Sequence, residues 1–366
     1  MYMASAVMAV EDFPTIRSIS VVAYDADLNV VLYEKNAYQR RSIASLTKIM
    51  TILYTCELVQ EEKISLSDVV TASSNAASRG GTQIRLRGGD QFTLEELLYA
   101  TALASANDGA VAIAEFVGGS EQEFARLMTA RAHQLGIINT NFVDSTGLLS
   151  IYSGNYSTAL DLARLSTIAM QNDLFQRFVS TKEYFLTPQD RIIRNTNPLL
   201  HAVEGMEGIK TGATTPAGHT LITSTTRNER RLIVVVLGAP SREQRNQEAE
   251  RIVEYAFNRL TTVVPAGEVV REVSVKDAVL HLVDAVSAKD VSLFLFDSDL
   301  ESIERKAEVG ELRAPVEKGE TIGELIILRD DKELGRFELV ANQSTGLASI
   351  IRRFWNRLVS FLGFTL

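Results

Sequence analysis

A chain of 366 residues exceeds the usual single-domain size, and 46% hydrophobic with 23% charged residues is an ordinary globular composition. The net charge of −9 lacks the basic field of a general nucleic-acid binder, so no nucleic acid is expected as a partner. The single cysteine, Cys56, excludes an intrachain disulfide framework, and the four histidines stand at no metal-ligand spacing, so no metal or other cofactor is expected.

The chain opens with "MYMASAVMAV", an apolar run rich in small residues. Residues 1–16 therefore read as a signal-peptide remnant or as a plain N-terminal segment. "SISVVAYDADLNVVLYEK" predicts two strands around the turn Asp25–Asn29. Helical periodicity follows in the segment "IASLTKIMTILYTC" and in 94–103, 108–117, 121–135 and 159–170. Strand patterning returns in "GHTLITSTT" and "RLIVVVLGAP", joined by the polar turn "RNER" as a hairpin. Strands at both ends of a helical region predict one sheet built from both ends of the domain and packed by helices, an α+β fold over 17–262.

Pro265 and Gly267 mark a linker, beyond which short strand-like runs separated by charged turns predict a small all-β domain over 263–340. Residues 341–366 close the chain with helically spaced Leu347, Ile350, Ile351, Phe354, Leu358, Phe361 and Leu362, interrupted by Arg352, Arg353 and Arg357. This pattern suits an amphipathic helix on a membrane surface, engaged through 344–366. Three central arginines argue against a spanning helix, and docking on the protein itself is the plain alternative.

Three short motifs can carry chemistry. Ser45 and Lys48 lie three residues apart, so on a helix a hydroxyl and an ammonium share one face. A serine becomes a nucleophile when a base takes its proton, and a lysine becomes that base when desolvation lowers its pKa. Alone, the pair reads better as a cap serine beside a lysine whose tip reaches water. "ASAND" places Ser105 and Asn107 between two helical runs, where a cleft pair and simple helix capping are both open readings. "GIKTGAT" offers Lys210, Thr211 and Gly212 as a strand edge for a substrate carboxylate, or as a surface turn.

In this order, S-x-x-K, S-x-N and K-T-G form a set characteristic of penicillin-binding proteins and class A β-lactamases. The chain resembles the low-molecular-mass penicillin-binding proteins, serine-type D-alanyl-D-alanine carboxypeptidases. The likeness extends through "LASANDGAVAIAE", "NTNFVDSTGL", "NYSTALDLA", "GMEGIKTGATTPAGHTLITS", "RLIVVVLGAPS" and "LRAPVEKGETIGEL". It implies a β-lactamase/transpeptidase-like catalytic domain followed by the all-β domain. It also implies removal of the terminal D-alanine from peptidoglycan pentapeptide stems, β-lactams as covalent inhibitors, and a place on the outer face of the cytoplasmic membrane.

The resemblance assigns Ser45 as nucleophile, Lys48 as base, and Ser105 with Lys210 as the route for a proton to the leaving amine. Asn107 would hold the peptide, Thr211 and Arg245 the terminal carboxylate, and the N–H groups of Ser45 and Ala213 beside Gly212 the oxyanion. Two departures stand out: "RSIASLTK" lacks the proline common before this element, and "DSTGLLSIYSGNYST" is an unusual loop. A class A β-lactamase would carry E-x-x-L-N between Asn107 and Lys210, and no such pattern occurs there. Endopeptidase action on cross-links is a nearer variant, and a non-catalytic envelope-binding protein is a reading from another class.

Overall fold

A computed structural model describes residues 13–149, 151–295 and 302–349. The chain divides into two compact units, one ending at Phe257 and the other beginning at Asn258.

The first unit begins with β1 (Ser20–Asp25) and β2 (Val30–Lys35), then α1 (Lys48–Gln60), α2 (Leu94–Leu103), α3 (Asn107–Gly118), α4 (Glu121–Gln134), α5 (Ala159–Ala169) and α6 (Asp173–Ser180). It closes with β3 (Met206–Thr214), β4 (Gly218–Arg227), β5 (Arg230–Ala239) and α7 (Arg242–Phe257). The five strands pair in the order β2-β1-β5-β4-β3, antiparallel throughout, so strands from both ends of the unit share one sheet. β5 lies at its centre, buried at nearly every position, and both α5 and α7 pack on it. Its unbroken apolar run, "LIVVVL", is the pattern expected when both faces of a strand are covered.

α1 is the helix about which the first unit is packed. Ile49, Met50, Ile52, Leu53 and Cys56 are buried, and α3, α4, α5 and α6 all touch it. A helix apolar on every side is an interior helix. α2 starts with a reciprocal capping box, Thr93 accepting from Glu96 N and Glu96 accepting from Thr93 N. Ser120 and Thr158 cap α4 and α5 in the simpler one-way form. The first unit also has a small hairpin, Glu183–Leu186 with Arg191–Arg194, that the sequence reading did not single out.

The second unit is built from strands β6 (Leu260–Val264), β7 (Val269–Lys276), β8 (Leu282–Ser287), β9 (Val291–Phe294), β10 (Ile303–Val309), β11 (Leu312–Arg313), β12 (Thr321–Arg329) and β13 (Lys332–Ala341). Six form a sheet in the order β10-β12-β13-β8-β7-β11, and β6 pairs with β9. Pro265 and Gly267 lie in a turn, where Glu268 N donates to Pro265 O at 3.1 Å.

Of the expected terminal helix over 341–366, residues 341–349 are described and are not helical. Residues 345–348 are irregular: Thr345 bridges Val316, Leu347 bridges Ala278, and Ala348 N donates to Asp277 O at 2.8 Å. Backbone groups of Thr345, Gly346 and Ala348 are thus paired with other segments of the chain rather than along a helix. Residues 350–366 lie outside the described part of the chain, as does the N-terminal segment through residue 12.

Candidate active site

Ser45 stands in a single 3-10 turn, Ala44–Thr47, and Lys48 is the first residue of α1. The i and i+3 side chains eclipse in such a turn, so the two groups meet as they would on one helix face. Lys48 Nζ lies 3.0 Å from Ser45 Oγ. Its other partners are Asn107 Oδ1 at 2.6 Å and the Thr146 carbonyl at 2.8 Å. These three acceptors match the three donors of an ammonium. The side chain is 0% exposed, and burial pulls its pKa from 10.5 down to about 7 against the opposing charges of Asp144, Asp108 and Glu121.

Ser105 precedes α3 with a left-handed φ of 57°, which turns the chain sharply into the helix. α3 has no side-chain cap, because its N-cap residue, Ala106, carries no polar group. Asn107 Nδ2 donates to Gly80 O at 2.7 Å while its oxygen holds Lys48. Asp108, 0% exposed, accepts from Ile84 N at 3.1 Å and Leu86 N at 2.9 Å. Asn107 thus fixes the lysine on one side and, together with Asp108, the 80–86 segment on the other.

K-T-G occupies the edge strand β3 rather than a turn ahead of the hairpin. Lys210 pairs with Ile222, Thr211 with Leu221, Gly212 with Thr220 and Ala213 with His219. Gly212 needs its missing side chain: a Cβ there would lie 2.6 Å from Thr220 Oγ1 and 3.0 Å from Ser45 N. The strand edge is therefore pressed against the Ser45 turn. Lys210 is 1% exposed and donates to the Thr211 carbonyl at 3.2 Å. Burial, then the cations Lys48 and Arg245, hold its pKa well below the ordinary lysine value. Thr211 Oγ1 bonds Thr196 Oγ1 at 2.8 Å. Arg245, on α7, is buried, donates to Thr220 O at 3.4 Å and bonds Asn246 Oδ1. Burial followed by Arg242 lowers its pKa to about 10.

The loop that supplies the Thr146 carbonyl is organised by Asp144. Its carboxylate accepts from Thr146 N at 2.6 Å, Thr146 Oγ1 at 2.8 Å and Leu149 N at 3.0 Å, and also from Gly147 N. Gly147, at φ +82°, lies so close to the nucleophile turn that a Cβ would sit 1.8 Å from Ala44 O.

A buried lysine thus bonds a serine beside S-x-N and a K-T-G strand edge. The model for D-alanyl-D-alanine carboxypeptidases matches residues 6–241, well over half of the chain. The chain belongs to this family. Residues 259–346 match the penicillin-binding protein 5 C-terminal domain. The D-alanyl-D-alanine carboxypeptidase DacF of Bacillus subtilis is 33% identical over 91% of this chain and 87% of its own length. DacC of Escherichia coli is 31% identical over 94% of this chain and 88% of its own. Among solved structures, a peptidoglycan synthesis regulatory factor of Streptococcus pneumoniae superposes with TM-score 0.79 at 26% identity, covering 90% of this chain and 100% of that one.

The carboxypeptidase is thus a serine hydrolase of the cell wall, and its family acts on peptidoglycan stems outside the cytoplasm. Within its site, Ser45, Lys48 and Asn107 are joined directly, and Gly212 borders Ser45. The bonds of Lys48 and Lys210 do not include the Ser105 hydroxyl, and those of Arg245 do not include Thr211. Sequence reasoning did not single out Thr146, Asp144, Gly147 or Thr196. The first three lie in "NTNFVDSTGL", where the Asp-Ser-Thr-Gly run, a turn signal, was available but carried no hint of its partner.

Proposed function

We propose that Ser45 attacks the carbonyl of the penultimate D-alanine of a pentapeptide stem, with Lys48 as the base that takes its proton. One observation carries this reading. Of the three partners of Lys48 Nζ, the Asn107 amide oxygen and the Thr146 carbonyl can only accept hydrogen bonds, whereas the Ser45 hydroxyl can also donate. A neutral amine with two N–H groups donates to the first two and turns its lone pair to the hydroxyl. Deprotonation of Lys48 therefore creates the base in place, and a pKa of about 7 makes that form abundant near neutrality.

Attack forms the Ser45 Oγ–carbon bond and an oxyanion, which the N–H groups of Ser45 and Ala213 stabilise beside the bare Gly212. The C–N bond to the terminal D-alanine then breaks, and its amine takes a proton delivered through Ser105 and Lys210. Asn107 holds the peptide, while Thr211 and Arg245 meet the terminal carboxylate. Water releases the shortened stem from the ester. A β-lactam acylates Ser45 by the same attack and leaves slowly, because its leaving group stays tethered. Cleavage of the chemically similar cross-link bond, an endopeptidase action, would use the same atoms.

We also propose that residues 17–262 act as the peptidase, with 263–340 as an all-β domain, and that 344–366 attaches the enzyme to the outer face of the cytoplasmic membrane. Among the described residues no helix is long and apolar enough to cross a membrane. The apolar and arginine-rich pattern of 350–366 supports surface attachment.

Incubation with a pentapeptide ending in D-alanyl-D-alanine, followed by mass spectrometry, tests the activity. Loss of one D-alanine by the wild type, absent in Ser45→Ala, is the expected result. An unchanged substrate, or a Ser45→Ala variant as active as wild type, refutes the assignment.

A further inference from the structure

The two oxygens that, together with Ser45, receive the Lys48 amine are each linked, through Gly80 or through Ser145, to one end of a single ion pair. Arg79 and Glu121 are joined through Arg79 NH2 and Glu121 Oε2, with side chains 22% and 14% exposed. The neighbour of Arg79 is Gly80, whose carbonyl takes the Asn107 amide at 2.7 Å, and the Asn107 oxygen holds Lys48. The other oxygen of Glu121 accepts from Ser145 N at 3.1 Å and Ser145 Oγ at 2.9 Å. The next residue, Thr146, presents its carbonyl to Lys48. Thr51 of α1 closes the second arm by donating to Ser145 O at 2.8 Å.

Glu121 opens α4, where an exposed acidic residue would ordinarily serve only the helix dipole. Here its carboxylate is turned inward and satisfied from two chain segments. A surface ion pair joining nothing else contributes little. This one ties the 79–82 segment to the 144–149 loop, and between them those segments determine where the lysine points.

We propose that Arg79 and Glu121 form a brace that aims Lys48 at Ser45, making Glu121 a positioning residue for the acylation step. The inference rests on Lys48 being the base. The groups around that amine are Asn107 and Asp108 from α3, Asp144 and the Thr146 carbonyl from the loop, Glu121 from α4, and Lys210 from β3. Asp144, Asp108 and Glu121 all favour the charged ammonium. Neutralising Glu121 removes one of them, so the free amine persists to lower pH. Loosening the brace also lets the amine drift from Ser45, which lowers the maximal rate.

The test is the acylation rate of the full chain by a fluorescent penicillin across the pH range, with a thermal melt of each variant. Glu121→Gln keeps an acceptor for Ser145 and removes the charge. Its acid limb moves to lower pH, and its plateau stays within about three-fold of wild type. Glu121→Ala and Arg79→Ala each lose roughly ten-fold or more at the plateau, as misaimed catalytic groups do. The double variant is no slower than the slower single, the mark of one shared element. An unmoved limb in Glu121→Gln, additive losses in the double variant, or losses that merely follow the melting temperature overturn the brace. A wild type without an acid limb, or a Lys48→Met variant that acylates at wild-type rate, overturns the underlying role of Lys48 instead.

Discussion

Burying Lys48 has a thermodynamic consequence that is separable from catalysis. The group is 0% exposed, and its pKa falls from 10.5 in the unfolded chain to about 7 in the folded one. Between those values the unfolded chain carries a proton that the folded chain lacks. Stability therefore rises with pH across the window by about 1.4 kcal/mol per pH unit. Below about pH 7 both states are protonated and the contribution is constant, which leaves the folded state about 5 kcal/mol worse off than above pH 10.5. Lys48→Met keeps a long apolar stem and removes the titration. Stability measured at one pH would mix this effect with the three lost hydrogen bonds, whereas the change with pH isolates it. Urea unfolding of wild type and variant at about pH 7 and about pH 9 should show wild type gaining about 2 kcal/mol on the variant, since the folded amine is half protonated at the lower pH. Lys210, shifted in the same direction, is present in both proteins and leaves the sign of the difference unchanged. A difference that stays flat with pH, or a variant that gains on wild type as pH rises, refutes the buried-amine account.

Acylation of the wild type by a fluorescent penicillin should decline as pH falls through about 7, because protonation removes the lone pair that Lys48 turns to Ser45; a rate constant down to pH about 5 would exclude that base. Gly147→Ala forces a Cβ to 1.8 Å from Ala44 O at a φ of +82°. The nucleophile turn must shift, with a loss of about 10²-fold in acylation and about 2 kcal/mol or more in stability. Near-normal acylation by this variant would show that the 144–149 loop does not set the position of Ser45. Thr93→Ala, which removes the capping box of α2, should cost about 1 kcal/mol in a denaturation curve and leave acylation unchanged. Deleting 344–366 should abolish flotation with vesicles containing anionic lipid, and equal binding by the truncated protein would give that segment another role.

Much of the fold was legible in the residue pattern. The alternating and β-branched runs gave β1, β2, β4 and β5, and the 3.6-residue period gave α2 through α5 to within a residue or two. These signals are local, since an element's period records which of its faces will be buried. The short hairpin over 183–194 escaped because its exposed Phe185 and Ile192 disguise a two-sided strand pattern. The irregular path of 345–348 escaped because its bonding partners lie in other parts of the second unit.

The site divides along the same line. Residue types and their order nominated Ser45, Lys48, Ser105, Asn107 and the K-T-G run, since a nucleophile, a base and a strand edge are chemical identities carried by single side chains. Their arrangement was decided only in three dimensions. The Lys48 amine meets Asn107 across 59 residues of chain and the Thr146 carbonyl across 98. Arg79 and Glu121, an unremarkable surface pair in the sequence, acquire a role only because the loops beside them converge on the same nitrogen. In sequence alone the lysine three residues after the serine read better as a snorkelling side chain. Complete desolvation reverses that reading, and desolvation is a property of the packed helices around α1 that no local pattern contains.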